Sequence, residues 1–293
     1  MDRWPNLFVV GASKAGTTAL HAYLDQIPEI YMSKTKEPNY FSVKTISDKS
    51  FLRPIRDKER YLSLFKKAKA QKFLGEASPN YLSDPEAPKL IHKVVPNAYI
   101  IISLRDPVER FFSHYLMSFS IGRLKKSFSE VCSDSLKIGK FDHNKTILRL
   151  SASLYSDDVK RYLEIFGPKQ VKIIIFEEFI KNTKKTMKEI LDFLEINRTV
   201  DDLGDKKYNP YSSPRVPFTQ SIMTSDSVRK IVNYNLVPFK TRKFIREKIL
   251  FKSASKPKMQ ENDRRKLVNF YQEDVKKLEE ILGRKLPWKN FNS

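Results

Sequence analysis

The sequence predicts an α/β protein with three layers, in which a central parallel sheet is flanked by helices. Three apolar runs support this fold class: LFVVG at 7–11, AYIIISL at 98–104 and VKIIIFEEF at 171–179. Each run is followed by a stretch with helical spacing, and strands that alternate with helices are typical of parallel sheets. The repeated order favours one domain over residues 1–293, with a basic helical part at about 226–293.

The first apolar run leads into a loop with a glycine at each end. Gly11 and Gly16 are two of only eight glycines in the chain. Glycine allows the backbone to turn tightly and to approach a ligand closely. The amides near Gly16, Thr17 and Thr18 would lie at the positive end of a helix dipole, where they can bind an anion. We therefore predict a strand, a phosphate-binding loop and a helix over residues 7–24.

The spacing of these two glycines nearly matches the triphosphate loop GxxxxGK[ST], with Thr18 in the last position, so the predicted fold is P-loop-like. Thr17 stands where that loop has its lysine, and the cation lies earlier, at Lys14. A triphosphate enzyme also needs an aspartate that holds Mg²⁺. The strand at 99–104 instead runs into Arg105. A P-loop nucleotide kinase or NTPase is therefore a disfavoured alternative.

The charge of the chain indicates an anionic partner. Its 293 residues are 40% hydrophobic, which is enough for a sizeable core, and the formal net charge is +21. Nucleic acid, anionic lipid, an acidic glycan and a polyphosphorylated cofactor all fit such a charge.

The cysteine and histidine content predicts no metal site and no disulfide framework. Cys132 is the only cysteine, and the histidines are scattered. The first predicted strand begins six residues after Met1, which leaves no room for a signal peptide, and no apolar run approaches the length of a membrane span. We expect a protein of the reducing cytoplasm.

A second candidate anion contact follows the strand at 99–104. Arg105 would project from the carboxyl end of this strand, where ligands of open α/β sheets bind. The pair Asp106 and Pro107 predicts the cap and first position of a helix. Arginine can bind phosphate bidentately.

The segment SKAGTTAL, after VVG, resembles the 5′-phosphosulfate loop of the sulfotransferases that use 3′-phosphoadenosine 5′-phosphosulfate (PAPS). The spacing of Arg105 and Ser113 is similar to the 3′-phosphate motif of the same family. The resemblance implies PAPS as sulfonate donor, 3′-phosphoadenosine 5′-phosphate (PAP) as product and no metal. It also implies that Lys14 stabilises the charge on the leaving phosphate. The cofactor-binding residues that it implies in these two motifs are Ser13, Lys14, Ala15, Gly16, Thr17, Thr18, Arg105 and Ser113.

Residues 28–42 read as an irregular polar segment that carries a candidate base. Glu37 lies ahead of the aromatic pair Tyr40 and Phe41, which we expect to anchor the segment. In glycan sulfotransferases a glutamate in a similar setting is the general base that takes the proton from the acceptor hydroxyl. The resemblance therefore implies Glu37 as catalytic base. The family often has histidine at the position of Asn39, which makes Asn39 a substrate-side candidate.

A further loop, GEASPNYL, follows a predicted short strand at 72–76. It resembles the second motif of the family, Glu-Lys-Ser/Thr-Pro followed by an aromatic residue. Ala77 replaces the lysine, which removes one expected contact to the substrate or the sulfonate. Glu76 and Ser78 remain substrate-side candidates, and a structural role for Glu76 is the alternative.

The remaining helices are assigned from periodicity and stop signals. We assign Arg110 and His114, on the helix after Arg105, to packing or to the surface. Helices are predicted at about 59–68, 84–94, within 127–166, up to about residue 194 and at 261–282.

Two late segments carry weaker signals. The long proline- and serine-rich loop at 195–226 corresponds to a loop that closes over the nucleotide in sulfotransferases, which makes Tyr208 and Arg215 candidates for cofactor binding. Residues 228–258 carry ten Lys or Arg and one acid, Glu247. This basic segment could grip an acidic acceptor or contact anionic lipid as a peripheral membrane element, or it could be a solvated face.

The leading hypothesis is an enzyme that transfers sulfonate from PAPS to a hydroxyl or amine of a carbohydrate or other small metabolite. The transfer would be an in-line displacement with Glu37 as base and Lys14 at the leaving phosphate. The alternatives are the P-loop kinase or NTPase and a non-catalytic protein that binds nucleic acid or another polyanion. The last alternative leaves the loop and the spacing of Arg105 and Ser113 unexplained.

Overall fold

The computed structural model describes residues 3–42, 54–120, 123–138, 148–200, 212–214, 251–253 and 258–292. The strands in these residues are β1 (Leu7–Gly11), β2 (Ile30–Met32), β3 (Phe73–Ala77), β4 (Tyr99–Leu104), β5 (Val171–Ile175), β6 (Ser212–Pro214) and β7 (Phe251–Ser253). The helices are α1 (Thr17–Leu24), α2 (Lys58–Ser63), α3 (Ala87–Val94), α4 (Pro107–Ser120), α5 (Phe128–Ile138), α6 (Ser156–Phe166), α7 (Phe176–Lys181), α8 (Thr183–Phe193) and α9 (Glu261–Leu282).

The first five strands form a parallel sheet in the order β2-β3-β1-β4-β5. Strand β1 lies at its centre, where Val9 pairs with Ala77 of β3 and Gly11 pairs with Ile102 of β4. The loop after β1, the segment after β3 and the turn after β4 therefore leave the sheet at the same edge. This arrangement confirms the predicted α/β fold with a central parallel sheet.

Both faces of the sheet are covered. Leu7 and Val9 belong to a buried cluster with residues of α1, α7 and α8. Phe8 and Val10, which alternate with them along β1, are also fully buried. A strand buried on both sides needs a continuous apolar run, and this is why 7–11 and 98–104 could be recognised as strands.

Two stretches differ from the prediction. The irregular segment at 28–42 contains the short strand β2, whose Ile30 and Met32 are buried; three residues are too few to show a period. The strand predicted over 171–179 ends at Ile175, and Phe176 begins α7. Glu177 and Glu178 lie in the first turn of α7, where the helix dipole favours negative charge.

The chain divides into two compact units. The first comprises Met1–Arg110, Ala152–Tyr208 and Tyr271–Ser293 and contains the five-stranded sheet. The second comprises Phe111–Ser151 and Asn209–Phe270. Within the second unit, β6 and β7 pair antiparallel, and the rings of Phe112 and Tyr115 pack on Phe128. The assignment of the whole chain to one domain stays a prediction.

Several predicted features lie outside the described residues. Tyr208 and Arg215 are among them, as is the basic segment at 228–258 apart from residues 251–253 and 258. No helix in the described ranges is long and apolar enough to cross a membrane. The cytoplasmic location stays a prediction.

Candidate nucleotide and acceptor site

The loop after β1 is held between neighbouring strands. The Ala12 amide donates to the Ser103 carbonyl at 2.6 Å, and the Ser103 hydroxyl donates to the Ala15 carbonyl at 2.5 Å. Ser103 thus links β4 to the loop at two points, Ala12 and Ala15. The first hydrogen bonds of α1 run from Ala19 and Leu20 to the Gly16 carbonyl. The amides of Gly16, Thr17 and Thr18 precede those bonds, so the geometry of a helix start leaves them available to an anion.

Both loop glycines are required by their surroundings. Gly11 has φ +155°, and a Cβ there would lie 2.5 Å from Cβ of Leu82. Gly16 has φ +82°, and a Cβ there would lie 2.8 Å from the ring of Phe176. The loop therefore packs closely on the segment after β3 and on the start of α7. Any side chain at either position would displace it.

Arg105 lies at the carboxyl end of β4 and contacts the loop directly. Its Nη1 donates to the Lys14 carbonyl at 3.1 Å, and its guanidinium lies 4.8 Å from the centre of the Phe176 ring. Its Nη2 lies 3.9 Å from Glu109 Oε2. Its buried Nε has no hydrogen-bond partner within the described part of the chain. A guanidinium group with an N–H donor that lacks an acceptor can bind an incoming anion.

The Arg105 backbone is held by residues that the sequence did not single out. The Tyr155 hydroxyl donates to the Arg105 carbonyl at 3.0 Å. The Asp106 amide donates to Glu177 Oε1 at 3.2 Å, and the indole of Trp288 donates to Glu177 Oε2 at 3.0 Å. Trp288 is fully buried and packs on Tyr155. The segment after α9 therefore stabilises the turn that carries Arg105.

Asp106 caps α4 as predicted. Its Oδ1 accepts the amides of Val108 and Glu109 at 3.0 and 3.2 Å, and its Oδ2 accepts from the side chain of Asn290 at 2.8 Å. Burial raises the pKa of Asp106, and the bonds from Glu109 and Asn290 oppose that rise. The cap fixes the direction in which the chain leaves Arg105.

Lys14 lies among other cations. Its backbone has φ +72°, a left-handed conformation that side chains rarely adopt. Burial lowers its pKa to about 8, with smaller contributions from Arg105 and Lys36; Glu37 opposes them. The charges of Arg105, Lys36 and Glu37 therefore all act on the Lys14 ammonium. A bound phosphate would stabilise the ammonium form.

Arg110 is a further cation near the loop. The sequence suggested packing or a surface position; the side chain is 1% exposed and donates to the Ser153 hydroxyl. Its charge contributes to the lowered pKa of Lys14. The sequence could not predict the buried contact between Arg110 and Ser153, because the two residues lie 43 positions apart in the chain.

Glu37 lies on a loop with unusual backbone angles. Glu37 has φ +58° and Asn39 has φ +51°, both in the left-handed region. The Glu37 amide donates to the Ala77 carbonyl at 3.0 Å, and its carboxylate pairs with Lys36 Nζ at 2.9 Å. The side chain is 37% exposed, so Glu37 can meet an acceptor from solvent. As predicted, Tyr40 and Phe41 anchor the segment, since both rings contact Tyr61.

The three substrate-side candidates lie in the interior. Glu76, Ser78 and Asn39 are each 0% exposed. The Ser78 hydroxyl donates to Glu76 Oε2 at 2.6 Å and accepts the Asn39 amide at 3.1 Å. The structure therefore joins these residues to one another and to the Glu37 loop. Their contact with a substrate stays a prediction.

Ser113 lies on α4 and belongs to the second compact unit, so its pairing with Arg105 stays a prediction. Ser13 on the loop and Thr18 in the first turn of α1 are partly exposed, and Ala15 and Thr17 are buried. Among the described residues, no group of three His, Cys, Asp or Glu side chains could hold a metal ion.

Comparisons with known proteins concern the family and the fold of the chain. Residues 5–279 match the sulfotransferase domain family. Human carbohydrate sulfotransferase 15 is 29% identical over 245 residues, which cover 66% of this chain and 44% of that protein. The chain thus spans less than half the length of this relative.

Solved structures show the same fold. A crystal structure of a sulfotransferase from Alicyclobacillus acidocaldarius is 28% identical, with a TM-score of 0.72 over 97% of this chain and 98% of that chain. A mouse sulfotransferase complexed with PAP is 17% identical, with a TM-score of 0.51 over 93% of this chain and 85% of that chain; this likeness concerns the fold alone. Because the family match spans nearly all of the sequence, the chain belongs to the sulfotransferase domain family.

Proposed function

We propose that the protein transfers the sulfonate group of PAPS to a hydroxyl or amine of an acceptor by in-line displacement. The observation that carries this proposal is the hydrogen bond from Arg105 to the Lys14 carbonyl. It places a strand-end arginine against a phosphate-type loop, so two anionic groups of one nucleotide could be held side by side. A mouse protein of the same fold is complexed with PAP, which supports the same class of ligand.

The residues fit such a nucleotide. The buried Nε of Arg105 lacks an acceptor among the described residues, and a phosphate oxygen would satisfy it. The helix start at Gly16, Thr17 and Thr18 offers amides to a second phosphate. Burial and the charge of Arg105 lower the pKa of Lys14 to about 8. A bound phosphate would raise this pKa again.

When bound, PAPS supplies an electrophilic sulfonate with a phosphate leaving group. Lys14 provides positive charge for that phosphate, and Arg105 together with the first turn of α1 holds the nucleotide in place. Glu37 accepts the proton of the attacking hydroxyl or amine. Its exposure of 37% leaves it open to an acceptor that enters from solvent.

The acceptor is proposed to be a carbohydrate or another small metabolite. A carbohydrate acceptor is supported by the name of one relative, human carbohydrate sulfotransferase 15. Near the Glu37 loop, Lys34 pairs with Asp25 and Lys36 pairs with Glu37, so these residues alone do not select the charge of the acceptor.

Calorimetric titration tests the nucleotide assignment. The protein is titrated with PAP and, in parallel, with ATP and Mg²⁺. We expect binding of PAP without comparable binding of ATP and Mg²⁺. The reverse result would favour a nucleotide kinase, and binding of neither would overturn the proposal.

Labelled PAPS then tests the reaction. Chondroitin, desulfated heparan sulfate and neutral oligosaccharides are offered as acceptors, with heat-treated protein as the control. Transfer of label to a glycan is the expected result. A protein that binds PAP but labels no member of a wider panel of hydroxyl and amine acceptors would contradict the transferase activity.

A further inference from the structure

Three backbone amides at alternate positions tie the Glu37 loop to the last residue of β3 and to the segment that follows it. Glu37 donates to the Ala77 carbonyl at 3.0 Å, Asn39 to the Ser78 hydroxyl at 3.1 Å and Phe41 to the Tyr81 hydroxyl at 3.2 Å. Two of these three acceptors are side-chain hydroxyls rather than carbonyls. A hydroxyl can rotate, so something must fix its orientation.

Glu76 is the group that meets both hydroxyls. Its Oε2 accepts from Ser78 at 2.6 Å, and its Oε1 accepts from Tyr81 at 2.9 Å and from Tyr61 at 2.6 Å. The carboxylate is 0% exposed, and its hydrogen-bond partners among the described residues are three uncharged hydroxyls. A buried carboxylate without a cation is costly, so its presence requires an explanation.

The direction of the hydrogen bonds supplies that explanation. An ionised carboxylate can only accept, so it draws the protons of Ser78 and Tyr81 toward itself. Each hydroxyl then turns its lone pairs to the incoming amide of Asn39 or Phe41. The carboxylate thereby determines the polarity of bonds that it does not itself make.

The loop needs such support because its backbone is strained. Glu37 has a left-handed φ angle, which is unfavourable for a residue other than glycine or asparagine, and Asn39 has a left-handed φ angle two residues later. Unsupported, the loop would relax toward ordinary φ angles and carry the Glu37 carboxylate with it.

We propose that Glu76 is a positioning residue whose buried carboxylate orients the hydroxyls of Ser78 and Tyr81 and so holds the loop that carries Glu37. It acts without touching the acceptor, which agrees with its complete burial. The proposal rests on the proposed function only for the role of Glu37, since the ties to the loop are properties of the chain itself.

Two tyrosines offer a matched pair of variants. Tyr61 and Tyr81 both donate to Glu76 Oε1 and both are fully buried, but only Tyr81 accepts the Phe41 amide. Amide hydrogen exchange is followed by NMR at pH 8 in the full chain without nucleotide. Tyr81→Phe should speed exchange of the Phe41 amide about two- to tenfold, whereas Tyr61→Phe should leave it within about twofold. Equal effects of the two variants would overturn the proposal.

Glu76→Gln tests the carboxylate itself. Whichever way its amide is oriented, glutamine presents an N–H to at least one of the hydroxyls, which must then turn its own proton away. We expect faster exchange at Asn39 or Phe41, by about two- to tenfold, with PAP affinity unchanged within about twofold. Asp158→Asn, which alters another buried carboxylate, should leave both amides unaffected. Unchanged exchange at both amides in Glu76→Gln would refute the role.

Kinetics separate positioning from general stability. In Glu76→Gln, kcat should fall while KM for PAPS stays within about twofold, because the nucleotide contacts lie on other elements. A rise in KM without loss of kcat would contradict a role through Glu37. Failure of the wild-type protein to bind PAP would overturn the proposed function and leave the exchange result standing.

Discussion

Arg105 Nη1 donates a hydrogen bond to the backbone carbonyl of Lys14 at 3.1 Å, across 91 residues of sequence. The bond joins the end of β4 to the loop after β1, the two places where the sequence suggested phosphate contacts. Phe176 supports both, since its ring faces the Arg105 guanidinium and closes on Gly16. A substitution at any of these residues should therefore alter nucleotide binding at both phosphate contacts.

Arg105→Ala should weaken PAP binding by about 10- to 100-fold, because charged hydrogen bonds to a phosphate are lost. The affinity for 5′-AMP, which lacks the 3′-phosphate, should change much less. Calorimetric titration with both nucleotides measures the difference. Arg198→Ala, which removes an exposed partner of Glu29, is the control. Equal losses for PAP and 5′-AMP would contradict the 3′-phosphate assignment.

PAP binding near pH 8 should be accompanied by proton uptake at Lys14. Burial and the nearby Arg105 lower the Lys14 pKa to about 8, so about half of the side chains are neutral there, and a bound phosphate raises the pKa. At pH 8, where the phosphates of PAP are almost fully ionised, titrations in buffers with different ionisation enthalpies should reveal uptake of up to about half a proton. Lys14→Met should abolish the buffer dependence. An equal uptake in Lys14→Met would assign the proton to another group.

Glu37→Gln should reduce kcat by about 10²- to 10⁴-fold, because the amide cannot accept the acceptor proton. PAP affinity should stay near the wild-type value, since Arg105 and the loop after β1 are intact. The assay is transfer of label from PAPS to the acceptor found in the screen. Glu86→Gln, on a partly exposed carboxylate paired with Lys89, is the control. Full activity of Glu37→Gln would move the role of base elsewhere.

Trp288→Phe should weaken PAP binding by about two- to tenfold, because it removes the hydrogen bond to Glu177 that steadies the Asp106 turn. The ring is retained, so most of the packing on Tyr155 persists. Trp4→Phe makes the same substitution in the aromatic cluster around Tyr61 and should leave PAP affinity unchanged. The same loss of affinity in both variants would point to a general effect on stability.

The free energy of unfolding should fall as the pH rises toward 8, in part through Asp158. Burial raises the pKa of this carboxyl to about 7, while the bond from Arg161 opposes the rise. The native state therefore holds a proton that the unfolded state has released between about pH 4 and pH 7, so the stabilisation present below pH 4 is lost across that window. The contribution is on the order of 4 kcal/mol.

Urea unfolding at pH 5, 6, 7 and 8 measures this dependence. Asp158→Asn should flatten the curve relative to the wild type. Glu76→Gln should do the same, because burial raises the Glu76 pKa to about 7 as well. Curves that run parallel for the wild type and Asp158→Asn would contradict the titration of Asp158 in this window.

Much of the framework could be predicted from the sequence because its signals are local. The apolar runs of β1 and β4 are continuous because both sheet faces are covered, and β5 is apolar except at Lys172. The Asp106 cap and the glycines that bracket the loop after β1 follow from the conformational preferences of neighbouring residues. Strand β2 was missed because three residues are too few to establish a period, and α7 was missed because it follows β5 with no intervening turn.

The sequence by itself determined which candidate groups occur along the chain and in what order: a phosphate-type loop with Lys14, a carboxylate at Glu37 and an arginine at the end of a strand. Only the tertiary structure decided which of these residues meet. The bond between Arg105 and Lys14, the support of Arg105 by Tyr155 and Glu177, and the burial of Glu76 all join segments that are distant in sequence. Burial and hydrogen-bond direction depend on neighbours in space, and no spacing along one segment encodes them.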